Sequence, residues 1–540
     1  MQINFSEIPG FSNLFLDYLY EFDNCKVFFN KYFRDTDKYE NQFKNRITPD
    51  DTLRVKLRSI ISEQYSLRNP SKLTIQNINS IENEKTIIII SEVQPFLFGG
   101  PLSVVYKIIS AIKLSQKLKE DFDEFNFIPI LWIEEENASL SEITNFTFTD
   151  KNNSLITLHC KTDEREAEHD TTAGIIRLKN EIAELVNKFS SLSPRTDFSD
   201  DVVRRLVQSY KSGATFTEAF SQYAFRLFDE YGLVIFNPSD KEVKKLLAPV
   251  FRQELINFRE HAEKLVETTA ALDDIYSADE KLVPLNLYLT VESRRFLIEP
   301  AENQFRLHTK RKRISEEEIL AILKEEPERI SPSSLLLPVC QNYLFQTGFR
   351  IADAAEISRL AQSERLYYFY DVEPPFIYPA ISATLLEEQA AAYIRRNDLQ
   401  LQTIFISKTE SGDETIVNAA DTLDELFNDA KVDIAEILAG LEEQLSLTDN
   451  DSGGEIRIAA KQTAELLEFF RDKIKLSQRQ KTNDKNKQLE EIKTAIYPAG
   501  SLHERKVATI SFLNKYGTEL IKILFSKLSV TKTEHQIIEI

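Results

Sequence analysis

Between residues 85 and 136 the chain alternates wholly apolar runs with short polar breaks. Thr86-Ile87-Ile88-Ile89-Ile90 is a continuous β-branched run, as expected of a strand covered on both faces. A loop follows over residues 91–100, and Pro101 suits the first turn of a helix, where its missing N–H is not needed. Val105, Ile108, Ile109 and Ile112 then recur at helical spacing, with Lys113, Lys117 and Lys119 towards the C-terminal end of the same stretch. Residues 127–133 read as a second apolar strand that stops at Glu134-Glu135-Glu136-Asn137. Strand, loop, helix and strand predict a right-handed βαβ unit with parallel strands. Ligands of such sheets bind outside the carboxyl ends of the strands, so residues 91–100 and 134–139 are expected side by side around a pocket.

Residues 232–236 (Gly-Leu-Val-Ile-Phe) predict another buried strand, and Asn237-Pro238-Ser239-Asp240 supplies turn and N-cap chemistry before a helix through Lys244, Leu247 and Phe251. Residues 151–213 are polar and charged with helical stretches. Past residue 387 the period changes. Leu423, Phe427, Ala430, Ile434, Ile437 and Leu441 step by 4, 3, 4, 3, 4, and so do Ile456, Ala460, Thr463, Leu467, Phe470 and Ile474. A polar turn over residues 448–454 separates the two seams. They predict an antiparallel helical hairpin of coiled-coil type, and apolar seams of this length invite a second copy of the chain over residues 423–441 and 456–474.

Composition narrows the function. The chain carries 66 Lys+Arg against 86 Asp+Glu, a net charge of −20, and a field of that sign repels nucleic-acid backbones and anionic lipid. Three cysteines cannot build a disulfide framework and form no CxxC pair. No segment reads as an export signal or a membrane span, so a cytoplasmic globular protein is expected. The basic run Lys310-Arg311-Lys312-Arg313, followed by Glu316-Glu317-Glu318, reads as a solvated face. Phosphate-loop, dinucleotide-fingerprint, nucleophile-elbow and zinc-protease patterns are all missing, and no two of the six histidines stand four apart. No metal site is expected.

Glycine is scarce at 13 residues, well below the usual fraction of about 7%, yet two sit together in Gln94-Pro95-Phe96-Leu97-Phe98-Gly99-Gly100-Pro101. At a strand-to-helix turn such a pair can present backbone N–H groups to a carboxylate or phosphate at the positive end of a helix dipole; it can also simply make the turn. Glu134-Glu135-Glu136 could hold an amine or help bind Mg²⁺, or be a solvated strand exit.

These residues carry a family resemblance. "QPFLFGGPLSVVYKIISAIKLSQKL" followed by "FIPILWIEEENASLSEI" resembles the bacillithiol-biosynthesis cysteine-adding enzymes, BshC, whose motifs read roughly TGQQPGLFGGPLYTIYKI and FWIAxEDHDFxEV. The likeness continues through "ISPSSLLLPVCQNYL", "YPAISATLLE", "IYPAGSLHERKVATISFLNKYG" and "EHQIIEI", in order along the chain. It implies an α/β fold: a Rossmann-like parallel-sheet core in residues 1–385, with helical connecting insertions at roughly 151–230 and 255–330. A coiled-coil helical hairpin is expected in 386–495, with a segment at 496–540 docking on the core. The resemblance further implies ligation of the cysteine carboxyl to the amine of glucosaminyl-malate, use of ATP or ADP, and a homodimer through the coiled coil.

Several motif positions depart from the pattern. TGQQ is here Ser91-Glu92-Val93-Gln94, the Asp-His-Asp triplet is Asn137-Ala138-Ser139, and the Arg of PRxSFTLLE is Ala380. Two readings stay open: a working ligase with a rearranged site, or a non-catalytic relative that binds a ligand or acts as a scaffold. For the first, Glu136 and Gln94 are the candidate catalytic residues. Gly99, Gly100, Pro101, Asn137, Gln341, Asn342 and Glu356 are the candidate substrate or anion contacts. Glu136 keeps the family's acid, and like-charge neighbours are expected to raise its pKa towards the range of a base for an amine.

Overall fold

The computed structural model describes residues 1–46, 52–162, 171–302, 304–310, 313–406, 413–446 and 453–540. The turn expected at 448–454 and the basic run at 310–313 thus fall partly outside the described residues. Two units result, Met1–Glu388 with Ser501–Ile540, and Gln389–Gly500.

The isoleucine run is the centre of the first unit. Strand β1 (Thr86–Val93) is buried along its whole length, and each of its four isoleucines removed from water is worth about 1.5–3 kcal/mol. Helix α1 (Leu102–Asp121) follows, buried on nearly every side, and returns the chain to β2 (Asn126–Ile133). β2 pairs in parallel with β1 from Thr86 opposite Asn126 to Val93 opposite Ile133. Strand β3 (Val234–Phe236) adds to the far edge of β2, and Asp240 caps the helix α2 (Lys241–Asp273) that leaves it. Helix α3 (Leu337–Phe345) leads to β4 (Phe349–Ala352), then α4 (Ala354–Ser363) leads to β5 (Phe376–Pro379). The order is β5-β4-β1-β2-β3, parallel throughout. The chain winds one way from β1 to β2 and the other from β1 to β4, so the carboxyl ends of β1 and β4 border the crevice where such sheets bind ligands.

Residues 255–330 differ from the helical insertion expected there. Beyond α2 they form an antiparallel sheet of strands Leu287–Val291, Arg294–Ala301, Gln304–Leu307 and Arg313–Ile314, completed by Ile330–Pro332. Leu287, Leu289, Phe296, Ile298, Phe305 and Leu307 face its buried side. That is a period of two, and the tight turn uses Glu292 and Ser293 in the left-handed region at φ 53° and 63°. The insertion at 151–230 also opens on a strand, Leu155–His159 paired with Asn145–Thr149, before the three helices among its described residues.

Residues 501–540 lie in the first unit, where strand His535–Glu539 pairs with both Gln2–Ile3 and Ala383–Leu386. A buried polar knot ties these elements. Ser382 Oγ donates to Glu504 (2.6 Å) and contacts His535 Nδ1 (2.7 Å), and Thr384 lies 2.8 Å from His535 Nε2. Burial pushes both His503 and His535 down to about 3, so the imidazoles are neutral.

The second unit is a hairpin of α5 (Asp413–Ser446) and α6 (Gly453–Ile496). Leu423, Phe427, Ala430 and Ile434 turn partly inward, as do Ile456, Ala460, Thr463 and Leu467. Further along, the expected seam slips. Leu438 takes the inner position while Ile437 is 63% exposed, and Arg471 and Lys475 replace Phe470 (47%) and Ile474 (39%). A straight helix drifts about 20° per heptad from a strict seven-residue repeat, and charge fills the gap: Lys475 pairs with Asp424 at 2.6 Å. No helix among the described residues is long and apolar enough to cross a membrane.

Candidate functional site

Side chains alternate along a strand, and residues in register across a parallel pair share a face. Glu92 is opposite Trp132, and the ladder continues one step past the strands through the Glu134 N–H to the Val93 carbonyl at 2.8 Å. Glu92 and Glu134 therefore emerge on one face at the carboxyl ends of β1 and β2. There they line a cavity of about 350 Å³ with Gln94, Phe96, Lys107 of α1, and Asp353, Glu356 and Arg359 of α4. Asn137, Glu142, Asp279 and Glu280 complete its acidic and polar wall.

The floor is an ion-pair network. Arg359 donates to Glu92 Oε1 at 2.9 Å and to Glu356 Oε1 at 3.0 Å. Arg350 pairs with Glu92 Oε2, and Gln341 donates to the same oxygen at 2.9 Å. Lys107 pairs with Glu356 and lies 4.0 Å from Asp353. Glu356 and Asp353 form the capping box of α4, each accepting the other's backbone N–H, so helix geometry fixes the rim of the network. Burial works to raise the Glu92 carboxyl, but the charges of Arg359, Arg350 and Lys107 overcome it and hold Glu92 well below the usual carboxylate range.

Glu134 is the opposite case. Its Oε1 accepts the N–H groups of Glu136 (2.9 Å) and Asn137 (2.7 Å), while Oε2 has no hydrogen-bond partner among the described residues and is the oxygen left to the cavity. Burial first, then the negative charges of Glu92 and Glu136, push this carboxyl up to about 7. Two neighbouring carboxyls with pKa values driven apart are the mark of an acid–base site.

Of the residues expected from sequence, Gln94, Asn137 and Glu356 line the cavity. Gln94 Oε1 accepts the Ser139 N–H at 3.0 Å, and Arg295 holds the Asn137 Oδ1 at 2.9 Å. Glu136 does not reach the cavity: it turns away to a buried pair with Lys244 of α2 at 2.5 Å. Gln341 lies beneath the floor, and Asn342 donates to the Glu373 carbonyl. The glycine turn makes no anion site. Gly99 N–H donates to Tyr210 at 2.9 Å, Gly100 N–H to the Leu97 carbonyl at 3.1 Å and Leu102 N–H to Val507 at 3.2 Å. A Cβ on Gly99 or Gly100 would strike Tyr223 or Phe96, so these glycines admit aromatic rings rather than a ligand. Pro101 bridges to Ala508. The left-handed run Phe98, Gly99, Gly100 at φ 52°, 85° and 72° is what the turn requires of them.

The residues missed were Glu92, Lys107, Arg350 and Arg359, while Glu134 stood among three glutamates that the sequence left undistinguished. A signal existed for two of them. Glu92 is the first charge after the apolar run of β1, and Lys107 is a lone charge amid the apolar positions of α1. A nucleotide's phosphates would need free N–H groups or cations here. The lining offers seven carboxyls against Lys107 and Arg359, both already paired. These residues do not fit a nucleotide.

Comparisons with known proteins agree on one family. The model described as bacillithiol biosynthesis BshC, N-terminal Rossmann-like domain, matches residues 1–381, and that of the BshC C-terminal coiled-coil domain matches 383–540. A relative from Chlorobaculum tepidum, named "Putative cysteine ligase BshC", is 28% identical over 556 residues, covering 98% of this chain and 97% of its own. A relative of the same name from Bacillus cereus is 24% identical, covering 93% and 94%.

Proposed function

The chain belongs to the bacillithiol biosynthesis BshC family, and on that premise we propose that it ligates the carboxyl of cysteine to an amino-sugar amine of the glucosaminyl-malate type in the cavity between β1, β2 and α4. Glu134 carries the reading, with one oxygen anchored by two backbone N–H groups, the other open to the cavity, and a carboxyl near 7. An ammonium entering the cavity loses its proton to Glu134 Oε2. The freed nitrogen lone pair attacks the carbonyl carbon of cysteine that arrives as an acyl phosphate, its carboxyl having been phosphorylated by ATP outside this cavity; the C–N bond forms as the acyl C–O bond breaks, and phosphate departs with that electron pair. Glu92 stays ionised beneath, and Arg350, Arg359 and Gln341 keep it fixed, so it acts as a permanent negative charge that favours the ammonium. A cytoplasmic setting suits three cysteines that are all free and buried.

The test is product formation from cysteine, glucosaminyl-malate and ATP with Mg²⁺, followed by mass detection of the amide. kcat/KM is expected to rise with pH through an apparent pKa near 7, because the base works only when deprotonated. A profile flat between about pH 6 and 8 would argue against Glu134. Absence of any amide would remove the ligase reading.

The hairpin supports assembly as a homodimer. Leu426, Ile437, Leu466, Phe469 and Phe470 stay exposed on its outer faces, and exposed apolar patches mark interaction surfaces. Phe469→Glu with Phe470→Glu is expected to give monomers by analytical ultracentrifugation with helix content intact. Leu467→Glu, which enters the inner seam, is expected to lose helix content as well. A double variant that sediments as the wild type would exclude this dimer.

A further inference from the structure

The antiparallel sheet of residues 287–332 reaches the site through one side chain, Arg295. Thr290 stands opposite Arg295 and Tyr288 opposite Ser331, so Arg295, Tyr288 and Ser331 line up on one face of that sheet. The Arg295 guanidinium lies over the Tyr288 ring, 3.6 Å from its centre, and donates from Nε to Ser331 Oγ at 2.8 Å. Its Nη2 donates to the Pro332 carbonyl at 2.7 Å and to Asn137 Oδ1 at 2.9 Å, and its Nη1 to the Glu136 carbonyl at 2.8 Å. With a ring beneath it, four acceptors around it and 7% of its surface exposed, this planar fork has one place to sit. A lysine ammonium could not satisfy the same set.

Two of those acceptors belong to the residues that hold Glu134. Its Oε1 accepts the N–H groups of Glu136 and Asn137, and Arg295 grips the same two residues from the other side, at the carbonyl of one and the side chain of the other. The loop is thus pinned between a carboxylate and a guanidinium. Resting on the reading of Glu134 as the base, we propose that Arg295 is a positioning residue of the reaction, which clamps Glu136 and Asn137 so that their N–H groups hold Glu134 with its second oxygen turned to the cavity.

The clamp also acts on the proton. Burial and the negative charges of Glu92 and Glu136 push the Glu134 carboxyl up, while the Asn137 N–H and the charge of Arg295 draw it back. Removing Arg295 takes away the charge and loosens the N–H anchor, and both losses move Glu134 further up. The nearby charges of Lys107 on α1 and of Glu356 and Arg359 on α4 sit in ion pairs of their own, which the change leaves in place. The antiparallel sheet therefore brings to the carboxyl end of β2 a cation that both aims the base and limits its hold on a proton.

The pH profile of kcat/KM for amide formation tests the idea in Arg295→Met, which keeps the stem and loses the charge, and in Arg295→Lys, which keeps the charge and loses the fork. Arg295→Met is expected to lose about tenfold or more at pH 6, with the deficit shrinking towards pH 9 as Glu134 ionises. Arg295→Lys should fall between it and the wild type. A residue serving only the fold would give a deficit equal at every pH, and that result in both variants overturns the proposal while leaving the ligase standing. Urea unfolding of the full chain between about pH 5 and 9 reads the same coupling without turnover. A folded pKa raised further keeps costing stability to higher pH, so Arg295→Met should lose more between pH 7 and 9 than the wild type, and adding Glu134→Gln should abolish that difference. A difference that survives Glu134→Gln, or none at all, overturns the proposal. Should Arg295→Met fail to fold, Arg295→Lys decides on both measurements. Should the wild type form no amide, the ligase reading falls and the unfolding series alone decides whether Arg295 governs Glu134.

Discussion

Arg350→Leu is expected to destabilise the fold by about 3–5 kcal/mol, because it leaves part of a buried carboxylate uncompensated. The Arg350 side chain is 2% exposed and packs between Glu92 and Gln341 beneath the cavity. With it gone, Glu92 keeps Arg359 as its direct partner, and the Gln341 carbonyl oxygen loses a donor. Urea unfolding followed by circular dichroism measures the loss, and a change below about 1 kcal/mol would mean that water already reaches the floor. The double variant Arg350→Leu with Glu92→Leu is expected to recover much of the loss, since an apolar pair removes both buried charges together. The sign with pH follows from Glu92, whose folded pKa is depressed. Its contribution is present above the unfolded value of about 4.3 and fades as pH falls through the lower folded value. Acidification below about pH 4 should therefore erode the wild type more steeply than Glu92→Leu.

The βαβ unit was legible because its signals are local. A β-branched run, a proline at a helix start and a second apolar run each specify an element without outside help, and their order implies the parallel pair. The antiparallel sheet of residues 287–332 was less visible, since its alternation is broken by charged residues on the solvent side and its turns use Glu292-Ser293 in place of the usual Asn-Gly. Within the site, position along the chain and position in space part company. Three successive glutamates look equivalent as a string, but register separates them. Glu134 continues the ladder from Val93 and turns to the cavity, whereas Glu136 meets Lys244, more than a hundred residues away in sequence. Arg350 and Arg359 were out of reach for the same reason: only the sheet order places β4 and α4 beside β1. The glycine pair misled because a left-handed turn and an anion cradle ask for the same residue, and only the aromatic rings packed against it distinguish them.

Glu134→Gln is expected to lower kcat/KM by about 10²–10⁴-fold, the usual contribution of a positioned base, while making the protein more stable at alkaline pH. The amide oxygen can still accept the N–H groups of Glu136 and Asn137, so the loop keeps its anchor, and a neutral group replaces a carboxyl that is buried beside Glu92 and Glu136. The sign is set by a folded pKa raised to about 7 over an unfolded value of about 4.3. The native state then holds a proton that the unfolded chain has released, and the stability this confers is lost as pH rises from about 4.3 through 7. At pH 8 the wild type must keep an ionised Glu134 in place and the Gln variant need not, so the variant should unfold at higher urea by then and about equally at pH 4. Lost turnover with gained stability is what a group strained for function produces, and a residue serving only the fold would lose both. Glu136→Gln supplies the contrast: it leaves Lys244 buried without its partner and should lose stability first, with activity following. If Glu134→Gln turned over like the wild type, the base would have to be sought elsewhere in the cavity. If it lost stability at every pH, Glu134 would be holding the loop and not the proton.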